Sequence, residues 1–455
     1  MEQQNFSTSR KLLLLVGDIG IILFSYWISM SMLLRQSVLI SNMSVYSDML
    51  SVMVVVGILL LIVNGLYSIE WKGFAEIILS VLVSMVCLAV IMMAFSFFIR
   101  EFSYSRSQLL VSVIIQTVLL IFWRRIMWSF ERKIQGTEKI LFIGDKKECA
   151  HVCKKLLEQP QLSLKIHSIC TDFENQEWEE AAEYVRYILI CPHVALANKS
   201  RIIRYCYEHH KTPLLVPELY EVFCSGLQLR KIDDIPVFEP QGLFLSAEQR
   251  IMKRVFDILV SGIVFLIALP FMVLAAVAVK IDDHGPVFYQ QDRVGQYGKV
   301  FAIYKFRTMR VGAEQCAGPQ LASEHDPRIT RAGRFLRAAR LDELPQLWNV
   351  LIGDMSLVGP RPERPYFVEQ YEKQISYYSY RTNVKPGITG LAQVYGKYNT
   401  KVYDKLIYDL LYIQKSSILE DLVLMIQTVR ILFTGSVAEG VKKGRHQADL
   451  KKYGI

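Results

Sequence analysis

The sequence lacks the cysteine spacing of a structural zinc site. Two of its eight cysteines, Cys149 and Cys153, lie four residues apart, but no Cys or His pair with zinc-ligand spacing accompanies them. We therefore predict free thiols in a reducing compartment, the cytosol. The eight positions are Cys87, Cys149, Cys153, Cys170, Cys191, Cys206, Cys224 and Cys316.

The chain also lacks a strong excess of either charge. A net charge of +9 over 455 residues fits cytoplasmic loops and anionic lipid head groups better than a nucleic-acid groove, so we expect no nucleic-acid partner. Apolar side chains, by contrast, are abundant: 52% of the residues are hydrophobic and the mean hydropathy is +0.25. Both values exceed those of a typical soluble protein, so part of the chain is expected to lie in lipid.

Four apolar runs account for this excess. They cover residues 12–34, 49–69, 75–99 and 108–123, and most have the ~20 residues needed to cross a bilayer. The first run lacks a small-residue cleavage site, so it is not predicted to be a removable signal peptide. Arg10 and Lys11 precede the first run, and Arg124 and Arg125 follow the fourth. This pattern of basic flanks predicts that both ends of the four-helix region lie in the cytoplasm.

Residues 137–245 change character. Short β-like runs at 139–143, 164–170, 185–190 and 213–216 alternate with helical stretches at 146–158 and 199–209, which predicts a Rossmann-like α/β unit. The first strand is followed by GDKKEC at 144–149, with one glycine where a dinucleotide fingerprint has three. A nucleotide site and a spacer or dimerisation domain both remain open, and the missing glycines favour the second.

A fifth apolar run, 255–279, is long enough to span a bilayer. Lys253 and Arg254 precede it and Lys280 follows it, so both ends are expected on the same side of the membrane. Pro270 lies near the middle and is expected to break the helix there. A helix hairpin that enters one leaflet and returns is favoured over a single span, which would place the basic C-terminal third of the chain outside.

Two adjacent acids stand in LDELPQ at 341–346. Pro345 disfavours helical geometry at Leu344 and suits the first turn of a new helix over 346–352, so Asp342 and Glu343 are predicted just outside a helix N-terminus that favours phosphate. One acid can attack phosphorus while the other holds Mg²⁺ or handles a proton. The alternative is a helix cap with two solvated acids.

Basic residues surround this pair in the sequence. Arginines recur at every third position from 328 to 340, which is consistent with a solvated face or with an anion site. In GPRP at 359–362, prolines on both sides restrict Arg361 to extended geometry, either to present a rigid guanidinium to phosphate or to stiffen a surface turn. In KFRTM at 305–309, Lys305 and Arg307 share one face of a predicted strand over 300–306, which alone is also consistent with a basic edge strand.

Several motifs occur in the order found in a known family. They are KRVFD at 253–257, GPVF at 285–288, KFRTM at 305–309, LDELPQ at 341–346, GDMSLVGPRPE at 353–363 and KPGITG at 385–390. Residues 250–435 resemble the catalytic domain of the bacterial sugar transferases, the monotopic phosphoglycosyl transferases. The whole chain resembles their large subfamily, the undecaprenyl-phosphate hexose-1-phosphate transferases. It departs from the usual pattern at Leu269, where serine often precedes the hairpin proline, and at Leu391, where tryptophan is common.

The resemblance implies transfer of hexose-1-phosphate, with glucose or galactose as the expected hexose, from a UDP-hexose to undecaprenyl phosphate with release of UMP. By analogy Asp342 is the nucleophile that forms a phosphosugar–aspartyl intermediate, and Glu343 assists through Mg²⁺ or proton transfer. The same analogy assigns phosphate binding to Arg337 and Arg361, and the break of the membrane hairpin to Pro270. Motif positions with less defined roles are Lys305, Arg307 and Asp354.

The expected architecture combines membrane α and α/β parts. Residues 1–136 form four transmembrane helices, 137–245 a Rossmann-like cytosolic domain, 246–435 an α/β catalytic domain with the re-entrant helix 255–279, and 436–455 a basic tail. The implied setting is the bacterial inner membrane, with a cytoplasmic catalytic domain. We also expect a homodimer that forms through the four-helix and Rossmann-like parts. Two other functions are less consistent with the sequence. A nucleotide-sugar dehydratase or epimerase needs a glycine-rich loop and a Tyr-x-x-x-Lys pair that are missing, and intact acids argue against an inactive scaffold.

Overall fold

The structure is a computed structural model that describes residues 2–33, 43–68, 72–99, 105–159, 162–172, 177–240, 242–312, 326, 328–397 and 400–433. These residues divide into two compact units, the first ending at Val216 and the second beginning at Pro217. The predicted basic tail, 436–455, lies outside the described residues. So does Cys316, while the seven described cysteines are free.

The first unit begins with four long helices: α1 (Glu2–Leu33), α2 (Met43–Val63), α3 (Phe74–Phe98) and α4 (Arg106–Gln135). Each contains a segment long and apolar enough to cross a membrane. The fourth extends well past the predicted end at 123, because Arg124 is not a solvated flank. It is fully buried and its Nη2 lies 2.5 Å from Oδ2 of Asp18 on α1. A buried ion pair of this kind compensates two charges that would be costly alone.

An α/β layer follows α4. Its strands are β1 (Glu138–Ile143), β2 (Leu164–Cys170), β3 (Tyr187–Ile190) and β4 (Thr212–Leu215), and its helices are α5 (Lys146–Leu157), α6 (Glu177–Glu183) and α7 (Leu196–Glu208). All neighbouring strands are parallel, in the order β2-β1-β3-β4. The near-continuous apolar β1 is buried because helices cover both faces of such a sheet. This is the α/β arrangement that the alternating pattern predicted.

The second unit starts earlier than the expected boundary at 245. Helix α8 (Leu219–Phe223) packs in this unit, since the Leu219 N–H donates to the Tyr403 hydroxyl at 3.3 Å. Strands β5 (Gln228–Ile232) and β6 (Ile235–Glu239) then form an antiparallel hairpin. Most side chains of this hairpin are exposed, including Leu229 and Phe238.

Helix α9 (Ala247–Asp283) is the fifth helix long and apolar enough to cross a membrane. Ser246 caps its first turn in a capping box with Gln249. The helix assignment continues through Pro270, and the hairpin break at this residue stays a prediction. A proline removes one N–H donor and bends a helix, but the flanking turns retain their own hydrogen bonds. Arg254, near the start, donates to the carbonyls of Val350 (2.6 Å) and Leu351 (2.8 Å).

The remainder of the second unit packs around α9. Strands β7 (Phe288–Val294) and β8 (Val300–Phe306) form a hairpin, and β9 (Ser356–Val358) pairs in parallel with β10 (Gly387–Thr389). The helices are α10 (Arg331–Ala338), α11 (Gln346–Ile352), α12 (Pro365–Gln374), α13 (Leu391–Tyr395), α14 (Val402–Lys415) and α15 (Ile418–Phe433). The predicted strand 300–306 and helix 346–352 are confirmed. One apolar core joins α9, β8, α11, β9 and α14.

Candidate active site

The two acids lie on a short turn between α10 and α11. Residues Leu341–Glu343 form a single 3₁₀ turn, and Arg340 enters it with a positive φ of 56°. The expectation of extended geometry at Leu344 is wrong, because its φ of −55° and ψ of −36° are helical. Its N–H bonds to the Leu341 carbonyl (3.2 Å), and both side chains pack against the core, which outweighs the steric preference imposed by the following proline.

Glu343 joins two cations from distant parts of the chain. Lys305 Nζ on β8 lies 3.0 Å, and Arg361 Nη2 lies 2.8 Å, from the same oxygen, Oε1 of Glu343. The Glu343 side chain is 15% exposed. Burial alone raises the pKa of Glu343, but the charges of Arg361 and Lys305 outweigh it and hold that pKa below its ordinary value. Glu343 therefore stays ionised at neutral pH.

Asp342, next to it, has a different electrostatic environment. Burial and the neighbouring negative charge of Glu343 raise the pKa of Asp342 above its ordinary value. Lys305 and Arg337 act in the opposite direction. The two adjacent carboxyls thus have pKa values moved apart, which is the usual sign of two acids with different chemical roles.

Arg361 is held by a loop that two short strands fix. The Gly359 N–H donates to the Thr389 carbonyl (2.8 Å), and the Gly387 N–H donates to the Pro360 carbonyl (3.0 Å). A Cβ added at Gly359 would lie 2.4 Å from the Lys385 carbonyl oxygen, so only glycine permits this approach. The loop therefore presents the guanidinium of Arg361 from a rigid backbone, as the flanking prolines predicted.

Arg381 supports the same loop and was missed by sequence reasoning. Its Nη2 donates to the Arg361 carbonyl (2.8 Å), and its Nη1 donates to the Tyr378 hydroxyl (2.8 Å). Its Nε and Nη2 lie 2.9 Å and 2.8 Å from Oδ2 of Asp409 on α14. Arg381 and Asp409 are both buried. No motif surrounds either residue, so only the folded chain identifies them.

Arg293 on β7 is a second residue that sequence reasoning missed. Its Nη1 donates to the Pro362 carbonyl (3.1 Å) and lies 3.7 Å from Oε2 of Glu363. Burial, followed by the positive charge of Arg361, lowers the pKa of Arg293 to about 10. The β7 strand thus adds a guanidinium beside the Arg361 loop, where the local sequence shows only an alternating strand.

The other predicted site residues are distributed around the acid pair. Arg337 Nε donates to the Thr308 hydroxyl (2.8 Å), close enough for its charge to act on Asp342. Arg307 turns away from Glu343 and donates to the carbonyl of Asp283 at the end of α9 (2.7 Å). The shared strand face therefore does not give Lys305 and Arg307 a shared partner.

Asp354 is separated from the acid pair. It follows the C-terminus of α11, where its charge acts on Lys385. The length of α11 separates Asp354 from the acid pair by about 10 Å. Pro270 belongs to α9 and contributes to helix shape rather than to the charged cluster. The arginines that recur from 328 to 340 do not form one group around the acid pair. Arg328, for example, pairs with the buried Asp326 within its own loop (Nη2–Oδ2 2.5 Å).

The acid pair fits Mg²⁺ in the type of its donors. Carboxylate oxygens are the hard ligands that this ion prefers, and Mg²⁺ commonly takes one or two carboxylates and fills its other positions with water and substrate phosphates. No group of three or more His, Cys, Asp or Glu residues suited to a metal occurs among the described residues. Asp342 and Glu343 would therefore hold the ion together with a phosphate ligand, not alone.

The fold and the site describe an integral membrane protein whose α/β part carries an acid pair among cations. A family model for bacterial sugar transferases matches residues 248–435. A UDP-N-acetylgalactosamine-undecaprenyl-phosphate N-acetylgalactosaminephosphotransferase of Aeromonas hydrophila is 34% identical over 347 residues, which cover 74% of this chain and 76% of that protein. The chain belongs to the bacterial sugar transferase family.

Two further relatives match a shorter part of the chain. A UDP-glucose:undecaprenyl-phosphate glucose-1-phosphate transferase of Escherichia coli is 38% identical over 48% of this chain and 47% of that protein. An undecaprenyl-phosphate galactose phosphotransferase of Salmonella typhimurium is 35% identical over 54% of this chain and 55% of that protein. The chain thus spans about half the length of these two relatives.

A second family model, for a CoA-binding domain, matches residues 49–201. In a sheet of this order a nucleotide would enter beyond the carboxyl ends of β1 and β3. There the Cys191 N–H donates to the Ile143 carbonyl (2.9 Å), and a Cβ added at Gly144 would lie only 2.6 Å from that of Cys191. The two loops are in contact at the place where a nucleotide would insert. The residues present do not fit the cofactor at this position, and the role of this part as a spacer or dimerisation domain stays a prediction.

Proposed function

We propose that this protein transfers a sugar 1-phosphate from a UDP-sugar to undecaprenyl phosphate, releasing UMP, as the first membrane step in the assembly of a surface polysaccharide. The observation that carries the proposal is the arrangement of Glu343 between Lys305 and Arg361, beside a carboxyl with a raised pKa, Asp342. Fixed cations around two acids are suited to holding phosphates that approach a carboxylate nucleophile.

The reaction proceeds in two displacements at the phosphorus that carries the sugar. In the first, a carboxylate oxygen of Asp342 bonds to this phosphorus, and the bond to the bridging oxygen breaks, so UMP leaves with that oxygen. In the second, an oxygen of undecaprenyl phosphate attacks the same phosphorus and the Asp342 carboxylate leaves. The products are UMP and undecaprenyl diphosphate-sugar, and atoms and charge balance without an external oxidant or reductant.

The surrounding residues have separate tasks in this proposal. Arg361, held rigidly by its loop, binds phosphate oxygens, and Arg337 adds positive charge near Asp342. Mg²⁺ held by Asp342 and Glu343 would neutralise charge on the transferred phosphoryl group. Glu343, because it stays ionised, keeps Lys305 and Arg361 in fixed positions while the substrates exchange.

The sugar of the donor is a separate part of the proposal. The family resemblance predicts glucose or galactose, and the two relatives named for these sugars are matched over about half of their own lengths. The relative named for N-acetylgalactosamine matches 76% of its length, so this sugar joins the other two as a donor to be tested.

We also propose that α9 is re-entrant, so that it enters and leaves the membrane on the same side. The catalytic unit then lies on the cytoplasmic side of the bacterial inner membrane. The re-entrant course is supported by contacts at both ends of the helix: Arg254 bonds to α11, and Oδ2 of Asp282 accepts from the Ala332 N–H on α10 (2.8 Å). A straight helix would place these two positions about 42 Å apart, yet α10 and α11 are joined by one short turn. A bend at Pro270 allows both ends to reach the same compact unit from one side of the membrane.

We also propose that the protein forms a homodimer. The support is the β5–β6 hairpin, which exposes large apolar side chains on a two-stranded sheet that is marginal alone. Cross-linking of detergent-solubilised full chain, compared with a Phe238→Lys variant, tests this. Cross-linked dimer that persists in the variant would contradict use of the hairpin.

The central experiment uses membranes that contain the full chain, undecaprenyl phosphate, Mg²⁺ and a panel of radiolabelled UDP-glucose, UDP-galactose and UDP-N-acetylgalactosamine. We expect lipid-linked label from one donor, lost in Asp342→Asn and retained in Asp234→Asn, which changes an acid at the exposed turn of the β5–β6 hairpin. Absence of lipid-linked label with every donor, or full activity of Asp342→Asn, would refute the proposed reaction.

A further inference from the structure

The first unit contains a groove that the proposed reaction does not use. It lies between the start of α1 and the end of α2, has a volume of about 450 Å³, and is called the α1–α2 groove here. Its lining residues are Ser9, Lys11, Leu12, Leu15, Ile62 and Tyr67. The volume falls in the range of sites that hold small molecules.

The groove lies at one edge of the membrane region. The first membrane segment is Ser9–Leu33 and the second is Ser44–Val63. Ser9 and Lys11 begin the first segment while Ile62 ends the second, so these residues lie at the same interface with the head groups. From this edge, Leu12 and Leu15 continue toward the hydrocarbon. The groove therefore has a polar mouth at the head-group level and apolar walls below it.

The walls combine exposed apolar surface with one fixed aromatic residue. Leu12 is 62% and Ile62 is 53% exposed, as expected for side chains that contact lipid. The Tyr67 hydroxyl donates to Oδ2 of Asp18 at 2.7 Å, and the Arg124 guanidinium carbon lies 5.2 Å from the centre of the Tyr67 ring. The buried ion pair thus fixes the polar end of the groove in place before a ligand arrives.

Among the residues that line the groove, Lys11 is the one that carries a charge. Arg10 forms an ion pair with Glu131, and Arg124 forms one with Asp18. Lys11 is exposed, and within the part of the chain that the structure describes no acidic side chain forms an ion pair with it. The groove consequently presents one positive charge at its mouth.

We propose that the α1–α2 groove binds one anionic phospholipid. The phosphodiester, with its single negative charge, contacts the Lys11 ammonium and the Ser9 hydroxyl, and an acyl chain lies along Leu12, Leu15 and Ile62. Charge complementarity selects this occupant, because a zwitterionic head group adds a second cation beside Lys11 and a phosphate monoester carries more charge than one lysine neutralises. The site belongs to the first unit and is independent of the proposed transfer reaction.

The test measures lipid retained by the purified full chain. Protein is reconstituted in nanodiscs that hold equal parts of phosphatidylglycerol and phosphatidylcholine, released, and analysed by native mass spectrometry. We expect the wild type to retain one phosphatidylglycerol in preference to phosphatidylcholine, and Lys11→Gln to retain about fivefold less, as one lysine at a lipid surface contributes. Lys133→Gln is the matched control, since Lys133 is an exposed lysine in the last turn of α4, outside the groove.

A second variant tests the apolar wall without changing charge. Ile62→Trp fills the groove and should lower retention of phosphatidylglycerol, whereas Leu59→Trp, an equally exposed position on α2 outside the groove, should not. Monodisperse elution of each variant establishes that it is folded. Equal retention of the two phospholipids by the wild type, or an equal effect of Lys11→Gln and Lys133→Gln, would overturn the proposal. Undecaprenyl phosphate, added at the same mole fraction, should not displace phosphatidylglycerol; displacement would assign the groove to a different lipid.

Discussion

Replacement of Arg381 by lysine tests how the Arg361 loop is positioned. The guanidinium of Arg381 contacts three groups at once: the Arg361 carbonyl, the Tyr378 hydroxyl and the Asp409 carboxylate, all at 2.8–2.9 Å. A lysine ammonium keeps the positive charge beside Asp409, but it cannot reproduce this planar fork. The substitution therefore removes the fixed link to the loop while the buried acid stays compensated.

The magnitude follows from the geometry. A guanidinium that binds phosphate is useful only in its productive position, and a displacement of about 1 Å from that position costs about 10²-fold in rate. We therefore expect kcat of Arg381→Lys to fall about 10²-fold, close to 3 kcal/mol of transition-state stabilisation, with a much smaller change in KM. Arg381→Met would instead leave Asp409 buried and unpaired, which costs about 3–5 kcal/mol of stability and confuses the two effects.

The assay is a steady-state measurement of lipid-linked product against UDP-sugar concentration, with the full chain in nanodiscs. Arg204→Lys is the control, since Arg204 is an exposed arginine of the first unit that forms only a surface pair with Glu208 at 3.5 Å. A variant that melts at the wild-type temperature and keeps kcat within twofold would refute positioning by Arg381. A lower melting temperature with unchanged kcat would leave Arg381 with a structural role alone.

Further predictions concern the acid pair and its supports. Glu343→Gln should reduce product formation at least 10²-fold, because two cations lose the acid that orients them, and single-turnover labelling that matches wild type would contradict this. Since burial raises the pKa of Asp342 and Lys305 lowers it, Lys305→Met should move the acid limb of the pH–rate profile to higher pH; a shift to lower pH would contradict the assigned electrostatics. Gly359→Ala places a methyl group against the Lys385 carbonyl and should lower both melting temperature and activity, measured by thermal shift and product formation, unlike Gly262→Ala, which has open space. Chelation of divalent ions should abolish product formation and Mg²⁺ should restore it; full activity in excess chelator would exclude a metal requirement.

Local sequence patterns predicted the elements whose causes are local. Helix α11 begins after Pro345, and β8 has an alternating pattern that ends in the KFRTM motif, so both were located correctly from a few neighbouring residues. The apolar runs of the first unit were equally evident, because a segment of that length and hydropathy has few alternatives. Their ends were less evident: α4 passes Arg124 because that residue finds Asp18 in another helix.

The sequence by itself determined the class of the protein, the order of its α and α/β parts, and the candidate active site at the acid pair and Arg361. Tertiary structure alone decided which cations contact that site. Lys305 and Arg361 converge on one oxygen of Glu343, Arg307 and Asp354 find other partners, and Arg381 and Arg293 enter from segments without a motif. The physical reason is that charged side chains act through distances of a few ångströms, and such distances between residues far apart in the chain exist only after the core has packed.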